Sequence, residues 1–235
     1  MEFDFTAYPK KLNLGAGLDR KEGFVNVDLN DCHAPDLVCD VSVLKPLPDD
    51  YYDYILAQDI LEHLPKSKCQ NTLIEWNRVL CIGGKLEIQV PDIIGIFKLF
   101  QKPENRPIEN QERLLGNLFG TQNYVGDFHY IGFTEELLVH YLSEAGFQVE
   151  SICVKDEWLF HVIAKKIMSK RCDLMYYQES DEDFIKTAFA TVLQRDADPG
   201  GLEFYRSILK SGIPRESVVN ALKASDEFRQ IQSKR

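Results

Sequence analysis

Between Lys11 and Gly17 the chain reads KLNLGAG, a short apolar run that stops on two glycines, and FVNVD follows soon after. A strand ending in Gly15-Ala16-Gly17 lets the backbone approach a ligand closely, because glycine has no Cβ. Asp28 ends the next strand, where its carboxylate can accept hydrogen bonds from both hydroxyls of a ribose. DLVCDV and YDYILAQDILEHL come next. In an open parallel sheet the ligand lies outside the carboxyl ends of the strands, and there Gly15, Asp28, Asp40 and Gln58–Asp59 converge. This pattern restricts the chain to an α/β sheet with a nucleotide-like ligand at its rim.

The spacing of the remaining elements agrees with that class. Lys11–Leu14, Phe24–Asp28, Leu37–Val41, Tyr54–Ala57 and Lys85–Val90 read as short strands, alternating with helical segments that predict helices on both faces. Ser67 and Gln70 have capping-box spacing for a helix that Gly83–Gly84 would end. A second helix runs from Thr134 to Ala145 and closes at Gly146. Phe147–Val154 and Trp158–Lys165 form a hairpin across Lys155-Asp156-Glu157, which places one antiparallel strand in the sheet. Asp92–Gly132 breaks this rhythm, with two short helices and the stretch GTQNYVGDFHYIGF. An insertion beyond the C-terminal end of a strand usually supplies a lid or a substrate wall.

From Met168 the patterning is purely helical. Phe184, Ala188 and Val192 share one apolar face, Leu202, Tyr205 and Leu209 another, Val218 and Leu222 a third, and Phe228 follows. Asp198 before Pro199 reads as an N-cap with proline at the first helical position. Two domains are expected, residues 1–167 and a bundle of three to four helices over 168–235. In RDADPGG the positions five and twelve from Asp196 are Gly200 and Ser207, so a helix cap fits better than a calcium loop. The acidic run Glu179–Asp183 reads as a solvated helix start.

Charge and motif spacing exclude several functions. The whole formal charge of −10 belongs to residues 1–167, so a phosphate-backbone footprint is not expected, and nucleic acid is a poor substrate. No stretch reaches the roughly 18 apolar residues of a membrane span, and the N-terminus lacks a signal-peptide pattern. Six cysteines, none in a CxxC pair, fit reduced thiols, so a cytoplasmic location is expected. Arg20 occupies the third position of the dinucleotide fingerprint, and only ten residues separate Gly17 from Asp28. An NAD-linked reductase is therefore disfavoured, as is ATP in the absence of a Walker motif. Nothing in the sequence requires a metal.

LNLGAG, Asp28, CDV at Asp40, Glu62-His63-Leu64 and EWNRVLCIGGKLEIQVPD together resemble the class I S-adenosylmethionine-dependent methyltransferases over about residues 9–165. They resemble most the compact bacterial branch found among polysaccharide biosynthesis enzymes. The resemblance implies a Rossmann-like seven-stranded, mostly parallel sheet with its final strand antiparallel. It also implies S-adenosylmethionine as cofactor and S-adenosylhomocysteine as product. Leu14, Gly15, Ala16 and Gly17 would line its methionine portion, Asp28 with Leu29 would hold the ribose, and Asp40 with Val41 would recognise adenine. Gln58, Asp59 and His63 would border the methyl donor. FATVLQRDADPGGLEFY, LKSGIP and ALKASDEFR resemble a bacterial helical module of unknown function related in appearance to the phycobilisome linker. Its occurrence on secreted proteins and on glycan-synthesis enzymes points to a sugar or glycan hydroxyl as acceptor, and a protein partner is expected for the helical domain.

Methylating a hydroxyl requires loss of its proton, and an imidazole near neutrality suits that task. His129, in the insertion, is the candidate base, with Asp127 to orient it if the loop bends them together. The competing reading makes His129 a structural hydrogen-bonder. His63 either caps a helix or touches the cofactor, and Tyr124 and Tyr130 either stack on a sugar or are ordinary loop tyrosines. Against an enzyme stands a non-catalytic cofactor-binding or scaffold module, which the intact glycine loop and acidic strand end oppose.

Overall fold

The computed structural model describes residues 3–123, 126–170 and 180–232. Tyr124, Cys172 and Glu179 lie outside these residues. The chain divides into two compact units, Met1–Arg171 and Cys172–Arg235.

The first unit is built on a seven-stranded sheet in the order β3-β2-β1-β4-β5-β7-β6. Its strands are β1 (Lys11–Leu14), β2 (Val25–Asp28), β3 (Leu37–Val38), β4 (Tyr52–Gln58), β5 (Leu80–Pro91), β6 (Phe147–Lys155) and β7 (Leu159–Lys166). Strands β3 through β5 are mutually parallel, and β7 runs antiparallel to both β5 and β6. Strand order reverses at β1, where the chain leaves toward β2 on one side and β4 lies on the other; that is the crevice in which an open α/β sheet receives its ligand.

Alternate residues of the central strands face one core. Leu12, Leu14, Val25, Val27, Ile55, Ala57, Leu86, Ile88, Val162 and Ala164 are buried there. Helices α1 (Lys66–Val79) and α4 (Glu135–Glu144) supply Leu73, Trp76, Leu138 and Leu142 to the same core. The expected helix layer on both faces is incomplete. Among the described residues the β1–β2 connection holds no helix and the β2–β3 connection only a single 3-10 turn, because both are too short for a crossover helix. The opposite face is accordingly polar. Asn13 donates to Asn26 at 3.0 Å, and Glu87 accepts from Tyr54 and pairs with His161 Nε2 at 2.7 Å.

Several local boundaries differ from the sequence reading. Helix α1 begins one residue before Ser67, with Pro65 as its N-cap and no side-chain cap, so the Ser67–Gln70 box is not used. It ends at Leu80, whose extended backbone starts β5, rather than at Gly83–Gly84. Those glycines lie inside β5, where a Cβ on Gly84 would sit 2.9 Å from the Cys81 carbonyl oxygen. Strand β3 stops at Val38 because the chain turns at Asp40, whose carboxylate accepts from Ser42. By contrast, Thr134 caps α4 by accepting from the Leu137 N–H at 3.2 Å. The β6–β7 turn places Asp156 and Glu157 in the left-handed region, and the Trp158 N–H closes it on the Lys155 carbonyl at 3.1 Å. The insertion forms α2 (Ile93–Gln101), capped by Asp92, and α3 (Ile108–Phe119).

The second unit has its own core of Phe184, Ile185, Ala188, Phe189, Val192, Leu193, Val218, Val219 and Leu222. These come from α5 (Asp181–Ala188), the π-turn that extends it through Leu193, and α7 (Arg215–Ala224). Leu202, Tyr205 and Leu209 of α6 (Pro199–Lys210) pack against it, as does Phe228 of α8 (Asp226–Gln232). Asp198 caps α6 through the Gly201 N–H at 2.9 Å, which accounts for the DADPGG motif. Among the described residues no helix is long and apolar enough to cross a membrane, and Cys32, Cys39, Cys69, Cys81 and Cys153 are free thiols.

Candidate active site

The loop after β1 is held open by its backbone. Gly15 and Gly17 have φ of +67° and +49°, a region costly for residues with a Cβ. At Gly15 a Cβ would also come within 2.7 Å of the Ile60 side chain, while at Gly17 it would meet nothing within 4 Å. The bend is therefore packed on one side and bare on the other. Ala16 N–H donates to the Val27 carbonyl at 3.0 Å, which ties the bend to the end of β2.

Asp28 faces this loop. Its Oδ2 accepts from the Gly17 N–H at 2.7 Å, and its Oδ1 accepts from the Asn30 N–H at 2.8 Å and lies 3.2 Å from His33 Nδ1. Leu29, next to it, is exposed. Asp40 Oδ1 accepts from both the N–H and the hydroxyl of Ser42, at 2.8 and 2.7 Å. The buried Val41 accepts from the Trp76 indole at 2.9 Å, which anchors that turn to α1. Arg20 bonds the Ala34 carbonyl and pairs with Asp36 at 2.8 Å, so it braces the β2–β3 connection in place of the third fingerprint glycine.

The loop after β4 links this rim to the insertion. Gln58 ends the strand, and the Asp59 N–H donates to the Gln89 carbonyl at 3.1 Å. Ile60 packs on Gly15, and Leu61–His63 form a 3-10 turn closed by the His63 N–H on the Ile60 carbonyl. The segment 127–131 then returns alongside it, with the Tyr130 N–H donating to the Glu62 carbonyl at 2.8 Å and the His129 N–H to the Phe119 carbonyl at 3.0 Å. His63 and His129 meet edge to face, ring centroids 4.7 Å apart.

Glu62 belongs to this corner although its sequence context suggested no role for it. It is fully buried, and burial, reinforced by the nearby Asp59 carboxylate, pushes its pKa well above the usual carboxylate range. Burial and His63 lower the His129 pKa, against the opposing pull of the Asn117 and Leu118 carbonyls and Asp127. Asp127 does not hydrogen-bond His129. Its carboxylate accepts from the Thr121 hydroxyl, and a Cβ on Gly120 would collide with its carbonyl, so it closes the loop on itself. Tyr130 is exposed near Phe128. The structure thus joins Gly15, Gly17 and Asp28 in one group and His63 and His129 in a second, with Asp59–Ile60 between them. Asp40 and Val41 stand in a separate turn.

Residues 7–88 match the family model described as a methyltransferase domain, and residues 166–231 match that of a domain of unknown function (DUF4214). None of the curated proteins compared with the chain matches it. Among solved structures, the chain is similar to an S-adenosylmethionine-dependent methyltransferase from Methanosarcina mazei. The two share 21% identity over 67% of this chain and 92% of that one, with a TM-score of 0.51. A methyltransferase from Archaeoglobus fulgidus gives 18% identity, 69% and 88% coverage and a TM-score of 0.47. The 1,6-didemethyltoxoflavin-N1-methyltransferase of Burkholderia thailandensis, solved with bound 1,6-didemethyltoxoflavin and S-adenosylhomocysteine, gives 16%, 71%, 75% and 0.47.

The first unit has the class I methyltransferase fold, and residues 7–88 within it carry the sequence pattern of a methyltransferase domain. The chain joins this methyltransferase-fold unit to a segment that matches DUF4214.

Proposed function

We propose that the enzyme methylates a hydroxyl of a sugar or glycan precursor in the cytoplasm of a bacterial cell. The observation that carries the cofactor half of this reading is the 2.7 Å hydrogen bond from the Gly17 N–H to Asp28, which sets a carboxylate beside a bare backbone bend at the sheet's switch point. Leu14 to Gly17 line the methionine portion, Asp28 and Leu29 the ribose, and Asp40 and Val41 the adenine. Gln58, Asp59 and His63 border the methyl group. The acceptor oxygen attacks the methyl carbon as the carbon–sulfur bond breaks, and the electron pair stays on sulfur. The sulfonium already activates the methyl group, so the protein mainly aligns the partners and excludes water.

Proton removal falls to the corner that His129 occupies. Its simplest form is direct acceptance by an imidazole that burial keeps neutral. The glycan preference rests on the resemblance of the second unit to a module carried by glycan-synthesis enzymes, and that unit offers a surface for a protein partner.

Calorimetric titration with S-adenosylmethionine tests the cofactor half. Asp28→Ala is expected to weaken binding at least about tenfold, the effect of losing a charge-assisted hydrogen bond; unaltered affinity would remove Asp28 from the site. His129→Ala should keep the cofactor affinity and lose about a hundredfold in turnover, the usual scale of acid–base assistance. Mass spectrometry of sugars incubated with the enzyme and isotopically labelled cofactor identifies the acceptor. Label appearing only on nitrogen would overturn the hydroxyl assignment.

A further inference from the structure

The Glu62–His63–His129 corner brings a fully buried carboxylate and two imidazoles together with bare acceptor atoms. Both Glu62 carboxylate oxygens, His63 Nδ1 and His129 Nδ1 are buried, and none has a hydrogen-bond partner. Protein interiors leave few such atoms unpaired, and four of them converge here. No ion pair reaches Glu62 among the described residues, and the neighbouring charge is another carboxylate, Asp59.

The three residues each offer one ligand atom, all within 4.8 Å of one another. A tetrahedral ion with ligand distances of about 2.1 Å places its ligands about 3.4 Å apart, a contraction within the reach of side-chain rotation. The backbone beneath is fixed: the Tyr130 N–H bonds the Glu62 carbonyl, and the His129 N–H bonds the Phe119 carbonyl.

We propose that Glu62, His63 and His129 bind a divalent first-row transition cation of the zinc, cobalt or manganese class. Two imidazole nitrogens with one carboxylate oxygen suit such ions, whereas calcium and magnesium take sites built almost wholly of oxygen. Three protein ligands leave at least one coordination position for a water or an acceptor oxygen.

This inference rests on the methyl-transfer reading and changes the form of help the acceptor receives. A hydroxyl bound to the cation would give up its proton to water as it binds at neutral pH, before water is excluded, and the resulting oxygen would attack the methyl carbon. The carbon–oxygen bond forms as the carbon–sulfur bond breaks, leaving a neutral thioether. His129 then acts through the cation and takes up no proton itself.

The test uses the full chain, stripped with chelator and titrated with Co²⁺ in the absence of cofactor, followed by visible absorption and metal analysis. One equivalent is expected, with absorption bands that Zn²⁺ abolishes by displacement. Glu62→Gln and His129→Ala should each weaken Co²⁺ binding at least tenfold, while S-adenosylmethionine titration of the same variants reports that the fold persists. Absence of stoichiometric binding in the parent chain would overturn the site, as would binding in both variants as tight as in the parent. Full turnover in chelator-stripped enzyme would overturn the cation and leave methyl transfer standing. Cobalt bound at this corner in a chain with no affinity for S-adenosylmethionine would uphold the site and overturn the methyl-transfer reading.

Discussion

At Gly15 two independent constraints coincide: a left-handed backbone and a side chain, Ile60, occupying the place of a Cβ. At Gly17 only the first applies. Gly15→Ala is therefore expected to cost more stability than Gly17→Ala. The strained backbone alone is worth about 1–2 kcal/mol, and displacement of Ile60 adds to it at Gly15. Thermal unfolding of the two variants checks the order, and equal melting temperatures would refute the packing argument. Both glycines were legible in the sequence, because a GAG bend after an apolar run has few other uses. Asp28 was legible for the same reason. Glu62 was not, since the need for a partner arises only when residues 127–131 come back from the insertion and bury it. A part for Asp127 in orienting His129 was conditional on how the loop bends, which the sequence does not state; in the structure the loop closes Asp127 onto Thr121.

Among the elements, strands were read with fair accuracy and their ends less so. The α1–β5 junction shows why. Gly83 and Gly84 look like a helix terminator, yet here they let β5 pass close to its own backbone at Cys81. A glycine pair signals a special backbone without saying which. The polar face of the sheet gives a prediction at this scale. Burial of the Glu87 carboxyl works to raise its pKa, but hydrogen bonds from Tyr54 and His161, with the charges of His161 and Lys155, outweigh it and hold it below 4.5. A carboxyl with a depressed pKa in the folded chain adds stability above its unfolded value and loses it as the pH falls through the folded one. Glu87→Gln should thus be less stable than the parent by about 1 kcal/mol at pH 7. The gap should close as the pH drops below 4.5. Urea unfolding at pH 7 and in acid measures it, and a gap independent of pH would rule out the charge as its source.

For the whole molecule, the two units hold separate apolar cores, one centred on Leu12, Val27, Ile55 and Trp76, the other on Phe184, Phe189, Val218 and Leu222. A unit with a complete core of its own can fold alone. A chain ending at Arg171 is therefore expected to bind S-adenosylmethionine within about twofold of the full chain, a difference of under 0.5 kcal/mol. Calorimetry on the truncated chain tests this, and loss of binding would assign the helical unit a part in the cofactor site. By itself the amino-acid order determined the α/β class, the antiparallel closing strand and the helical character of the residues described from Asp181 on, because each is written in short-range periodicity and backbone chemistry. Only the tertiary structure decided that one sheet face stays polar and that Glu62, His63 and His129 share a corner. Those depend on which distant segments cover one another, and burial, unlike periodicity, is a property of the folded chain as a whole.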